Sequence, residues 1–234
     1  MSYTKKAAAF GKLVGICAGY EGKYNPARQN LTITAIRKLA TEAEAANLSV
    51  IVARKTWTTA SGNRKMAFTE LEQLVKRLRG EIKNLSIDQS TSRLMKVALN
   101  KAAAYNNGVN SDPPSDANEP AASKTKRGHS VDYATRLAAF DEVIHALATI
   151  PEYKSPLPDL SVKVLKSKSA ELKNAMNSVN LAAAELSTIR SHRQNIFDNP
   201  VSGVSVIAAG IKNVVKATFG NPSSELKNVQ SAFR

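Results

Sequence analysis

The chain has 234 residues, 43% hydrophobic but only 6% aromatic, and 33 Lys+Arg stand against 19 Asp+Glu for a net charge of +14. That length suits one large domain or two small ones, with a core filled by aliphatics and alanine, and the single cysteine, Cys17, excludes an intrachain disulfide and a Cys-based zinc site. The positive surplus attracts polyanions, whether nucleic acid, anionic lipid or an acidic protein, without choosing among them.

The first segment, MSYTKKAAAFGKLVGICAGY, has the outline of a leader because Lys5 and Lys6 precede an apolar run. Lys12 interrupts that run, no small-residue cleavage site follows, and bulky Ile16 before Cys17 makes a poor lipoprotein box, so the segment reads as a structural helix. Gly11, Gly15 and Gly19 form a small-x-x-x-small row, expected to let this helix pack closely in a soluble fold. The loop YNPARQN leads to Thr32, a residue suited to start a helix. A long helix is then expected from about residue 32 to Phe68. Ile33, Ile36, Ala40, Ala43, Val50 and Trp57 alternate by three and four, and Leu39, Ala46, Ala53, Ala60 and Ala67 repeat every seven, a stripe wide enough for a bundle core. About 37 helical residues span roughly 55 Å, which implies an elongated module. Ser61-Gly62-Asn63 is the place where this helix is expected to kink or stop early. The amphipathic TELEQLVKRLRGEIKNL reads as a third helix, and residues 106–130, rich in Pro, Ser, Asn and Asp with no apolar period, read as a linker.

Beyond that linker the pattern returns. A shift of 129 residues lays 24–85 on 153–214 without a gap, matching Tyr24/Tyr153, Leu31/Leu160, Glu42/Glu171, Ala46/Ala175, Val50/Val179, Ala53/Ala182, Arg64/Arg193, Phe68/Phe197 and Ile82-Lys83-Asn84/Ile211-Lys212-Asn213. A shift of 130 pairs Tyr3, Phe10, Leu13, Val14 and Cys17 with Tyr133, Phe140, Val143, Ile144 and Leu147, and a shift of 132 pairs Ser92, Leu94 and Val97 with Ser224, Leu226 and Val229. Such a match implies repetition of one unit. The expected fold is all-α: an elongated antiparallel helical bundle of two tandem copies of a three-to-four-helix module with one long helix each. The copies are residues 1–105 and 131–234. A leader cannot have an internal counterpart, and Cys17, opposite Leu147, is expected to be a buried thiol. In the second copy VSGVSVIAAGIKNVVKATFG is nearly all apolar, which implies burial between other helices. Its uncharged stretch before Lys212 is too short to cross a bilayer, so membrane insertion is not expected.

The Tyr-Pro loop, the long helix ending Arg-x-x-Arg-x-x-x-Phe, and the tail Val215-Lys216-Ala217-Thr218-Phe219-Gly220 with Ser223-Ser224-Glu225-Leu226-Lys227-Asn228-Val229 resemble a group of uncharacterised duplicated helical proteins of Bacteroidetes-type genomes. The resemblance covers most of both copies, only the second of which keeps the whole tail. It implies a duplicated helical architecture and brings no established activity.

Little in the sequence carries chemistry. Glu142-Val143-Ile144-His145 has the ExxH spacing of di-iron bundles, but the aligned positions are Lys12 and Gly15 and no second ExxH exists, so no metal, cofactor or catalytic residue is expected. Arg64/Arg193 and Lys83/Lys212, retained in both copies, read as salt-bridge partners, for instance of Glu42/Glu171. The basic surplus is concentrated in residues 1–105, with 18 Lys+Arg against 7 Asp+Glu. Arg54, Lys55, Arg64, Lys65, Lys76, Arg77, Arg79 and Lys83 are therefore the candidate anion-binding residues. The expected function is non-enzymatic interaction or scaffolding in the cytoplasm, through a protein partner or self-association. The alternative is sequence-nonspecific binding of nucleic acid or another polyanion by the first copy.

Overall fold

The computed structural model describes residues 1–85, 87–103, 131–151, 153–155 and 157–233; the linker read at 106–130 lies outside them. Among the described residues there are seven α-helices and no strand: α1 (Tyr3–Ala18), α2 (Ile33–Lys83), α3 (Gln89–Ala102), α4 (Tyr133–Ala148), α5 (Val162–Asp198), α6 (Val204–Phe219) and α7 (Ser224–Ala232). Three 3-10 turns complete the list, of which Gln29–Leu31 and Pro158–Leu160 immediately precede α2 and α5. The all-α class expected from the sequence is therefore present among the described residues.

Local chemistry sets the helix starts. Ser2, Asp88, Asp132 and Ser223 each accept a hydrogen bond from a backbone N–H three residues on, capping α1, α3, α4 and α7. Thr32 does the same for Ala35 ahead of α2 while donating its hydroxyl to the Gln29 carbonyl. In the preceding loops, Tyr24 Oη donates to the Leu31 carbonyl at 2.9 Å and Tyr153 Oη to the Leu160 carbonyl at 2.6 Å.

Three expectations are corrected. The long helix of the first half does not stop at Phe68 or end at Gly62; α2 is 51 residues long and absorbs the expected third helix. One glycine costs a helix only about 1 kcal/mol, too little to break an element packed on both sides of it. The break does occur 129 residues later. Where α2 has Glu70-Leu71-Glu72-Gln73-Leu74, the second half has Asn199-Pro200-Val201-Ser202-Gly203. Asn199 Oδ1 accepts from the backbone N–H groups of Val201 and Ser202, and Pro200 disfavours helix at the residue before it. Second, the glycine row of α1 is not a close-packing seam: Gly15 is exposed, and a Cβ there would meet nothing within 4 Å. Third, the shift of 132 fails at α3, because Leu94 is 71% exposed whereas Leu226 is buried. Burial in α3 falls on Met95, Ala98, Leu99 and Ala102, one residue further along.

The chain forms two compact units, each drawing on both halves of the sequence: unit 1 is Met1–Lys55 with Ala184–Arg234, and unit 2 is Thr56–Ala183. In unit 1, α1 packs on α7 and α6, and α6 also meets the 3-10 turn before α2. Its core holds Phe10, Leu13 and Cys17 of α1 with Ile207, Ile211 and Val215 of α6. The approach of α6 is close: a Cβ on Gly210 would lie 3.0 Å from Leu31 Cδ2. In unit 2, α3 packs on α4. There Phe68, Leu71 and Leu78 of α2 meet Leu99 of α3, Phe140 of α4 and Leu165 of α5.

Candidate functional site

The eight basic residues singled out from the sequence all lie on α2, and three of them, Arg64, Arg77 and Arg79, reach other elements of unit 2. Lys76 pairs with Glu72 one turn earlier in the same helix at 3.6 Å, and Arg77 pairs with Asp159 within the turn before α5. Arg79 Nη2 donates to the Leu99 carbonyl at 3.0 Å, at the C-terminal end of α3. Arg64 places its guanidinium 4.4 Å from the centroid of the Tyr133 ring. Lys65 and Lys83 are exposed on the unit 2 part of α2, and Arg54 and Lys55 are exposed in unit 1.

Of the polar residues retained by both halves, the arginine pair stacks on aromatic rings. Unit 2 stacks Arg64 on Tyr133, with the Phe68 ring 4.7 Å from the same tyrosine. Unit 1 repeats the arrangement: Arg193 lies 4.3 Å from the Tyr3 ring, and Phe197 packs 5.0 Å from it. A guanidinium over a tyrosine face is attracted by the ring quadrupole. The carboxylates expected as partners are occupied locally, Glu42 by Lys38 and Glu171 by Lys168. Of the lysine pair, Lys212 donates to the Phe233 carbonyl just past α7, whereas Lys83 is exposed.

Arg136, which sequence reading passed over, is the buried cation of unit 2. It is 2% exposed; Nε donates to the Ala102 carbonyl at 2.9 Å and Nη2 to the Phe68 carbonyl at 3.2 Å. Burial disfavours its charged form, an effect opposed by the negative charge of Glu72. Arg79 and Arg136 thus place two cations at the C-terminal end of α3, where the helix dipole is negative. The one signal available in the sequence was position: Arg136 aligns with Lys6, which in unit 1 pairs with Asp198 at 3.0 Å.

No group of three or more His, Cys, Asp or Glu side chains that could hold a metal occurs among the described residues. Glu142 and His145, the ExxH pair, are both exposed. Cys17 is fully buried, and burial pushes its thiol up to about 11. No described helix is long and apolar enough to cross a membrane.

A feature of another kind stands out on α2. Leu48, Ile51 and Val52, spaced i, i+3 and i+4, are 61%, 63% and 58% exposed. At 100° per residue they fall on the side of the helix opposite buried Ala43, Ala46, Val50 and Ala53, and all belong to unit 1. Sequence reading missed them because it followed only the inward stripe. The same periodicity read outward would have found three large aliphatics where a solvated face calls for charge.

No protein-family model, curated protein or solved structure matches this chain.

Proposed function

We propose that the protein is a non-enzymatic helical interaction or scaffold protein whose contact face is the Leu48/Ile51/Val52 strip of α2. The observation that carries this reading is the exposure of three adjacent aliphatic side chains on one helical face. Single exposed leucines are common on protein surfaces, but a contiguous group marks a contact surface. The reading includes an origin by duplication of one long-helix module. Its support is agreement in burial between aligned positions, with Phe10, Leu13, Val14 and Cys17 as buried as Phe140, Val143, Ile144 and Leu147. The paired Arg–Tyr–Phe stacks support it too.

The test replaces all three side chains with glutamine, which keeps helix propensity and removes the apolar strip. Self-association by sedimentation over a concentration series, and the set of proteins retained from the native source, are compared with wild type. Association should fall while the far-ultraviolet circular dichroism stays the same. Unchanged association and an unchanged retained set would refute the proposal.

A second reading, binding of nucleic acid or another polyanion, draws on exposed Lys55, Lys65 and Lys83 and on the distribution of charge. Counted by sequence, unit 1 has 15 Lys+Arg against 6 Asp+Glu, or +9, and unit 2 has 18 against 13, or +5. Affinity for single- and double-stranded DNA across a salt series decides it, since phosphate binding weakens steeply with salt. An absence of salt-sensitive affinity removes this reading.

A further inference from the structure

The contacts that close each unit join the first half of the sequence to the second. In unit 1, Tyr3 Oη donates to Asp198 at 2.8 Å, Tyr20 Oη donates to the Glu225 carbonyl at 3.1 Å, and Tyr20 stacks on Phe219. In unit 2, Lys168 bonds Glu70 at 2.6 Å, and Arg136 ties α4 to the backbone of both α2 and α3. Neither half closes a core unaided. Without residues 131–233, α1 loses Ile207, Ile211 and Val229 from around Phe10 and Leu13; without residues 1–103, α4 loses Phe68, Leu78 and Leu99 from around Phe140. Folding is therefore a recognition event between two halves of one polypeptide.

The covalent connection between the halves does not dictate which copy is chosen. The Ala102 carbonyl accepts from Arg136 Nε, so the end of α3 and the first turn of α4 lie within one side chain of each other. Only the 27 residues 104–130 join them. Pairing within one chain does not depend on concentration, whereas pairing between chains increases as concentration rises. Exchange of identical elements needs no interface beyond the one that already folds the monomer.

We propose that a second copy of this chain is a partner, bound by reciprocal exchange: residues 1–103 of each molecule pack with residues 131–233 of the other. This pairing rests on the interaction reading above only for the class of partner, because its surfaces are the two cores rather than the Leu48 strip. The exchanged dimer differs from a surface dimer in one respect that an experiment can read: nothing but the two connections holds one packed pair of halves to the other.

The test uses the full chain with a protease recognition sequence placed within residues 110–120. Heavy and light protein, isotopically labelled and both carrying Leu48→Gln, Ile51→Gln and Val52→Gln so that strip-mediated association is removed, are unfolded together, refolded over a range of concentrations, and weighed by native mass spectrometry before and after cutting. A doubled-mass species should grow with concentration, and cutting should return all of it to single mass. About half of the cut particles from that species should carry one heavy and one light half, as random pairing of halves requires. Three results overturn the proposal: no doubled-mass species at any concentration, a doubled mass that survives cutting, or cut halves that separate. Wild-type protein should show the same fraction of mixed heavy and light halves. Failure of exchange with strip-dependent association intact would sink this inference and leave the interaction reading standing, and the converse result would do the opposite.

Discussion

Gly62→Ala distinguishes a continuous α2 from one interrupted at the Ser-Gly-Asn step. Gly62 sits in the helix interior and is exposed, and a Cβ there would meet nothing within 4 Å. The substitution therefore brings no steric cost and leaves only the backbone term, by which alanine is favoured over glycine in a helix by about 0.5–1 kcal/mol. For a chain of this size 1 kcal/mol corresponds to roughly 2–4 °C in Tm, so a rise of about that amount is expected. The urea midpoint should move up with no change in slope when helicity is followed by circular dichroism. Gly203→Ala is the matched control. Its Cβ would fall 2.6 Å from both N and O of Asn199, backbone atoms that cannot swing aside, and overpacking of this kind costs about 1–3 kcal/mol. The same chemical change is thus expected to have opposite signs at the two sites. A loss of stability in Gly62→Ala would refute the continuous helix, since it would show that this glycine occupies a conformation alanine cannot adopt.

Arg136→Met should lose about 1–3 kcal/mol in urea unfolding because it leaves the Ala102 carbonyl without its donor, whereas Lys6→Met, which breaks a partly exposed ion pair, should lose less than about 1 kcal/mol. Equal losses would mean that burial of Arg136 has no energetic consequence. Cys17, with its thiol near 11, should hold only about one thiolate per thousand at pH 8; native protein should react with a disulfide reagent at least about 100-fold more slowly than unfolded protein, and fast native labelling would show that α1 opens readily. The Asp132 carboxyl is held below its usual range chiefly by the Thr135 backbone N–H. Its folded pKa being the lower one, the stabilisation is complete above the unfolded value near 4 and disappears as pH falls through the folded value. Asp132→Asn should accordingly show a shallower loss of stability on acidification below about pH 4, and an unchanged acid profile would count against the cap.

Helix faces were legible because periodicity follows directly from helix geometry. The apolar stripe from Val162 to Ile196 led to the 37-residue α5, and the Tyr3/Tyr133 alignment found two 16-residue helices with matching buried positions. Helix ends were less legible where the deciding residues differ between the halves. Phe68 and Phe197 are aligned and both buried, yet a helix ends only after the second, because Asn199, Pro200 and Gly203 follow it and Glu70, Leu71 and Leu74 follow the first. Partners were not legible at all. A stripe says that a face is covered without saying by what, so Tyr3 and Tyr133 gave no sign that their rings would receive Arg193 and Arg64 from the opposite half.

Charge shows the consequence most clearly. Along the sequence the surplus is +11 in residues 1–105 and +3 in residues 131–234, which singles out the first half as a basic module. Folding regroups those residues: α2 gives its first 23 positions to unit 1 and the rest to unit 2, and α5 likewise divides between them. The larger surplus, +9, then belongs to unit 1, with Arg190, Arg193, Lys212, Lys216 and Lys227 arriving from the second half. Cations of both units are already used: Arg64, Arg77 and Arg193 in stacks and an ion pair that join the halves, and Arg79 on the last turn of α3. Neutralising a basic residue of α2 can therefore act through stability as well as through a ligand. A loss of polyanion binding is informative only in variants of exposed Lys55, Lys65 or Lys83 that keep the wild-type unfolding midpoint.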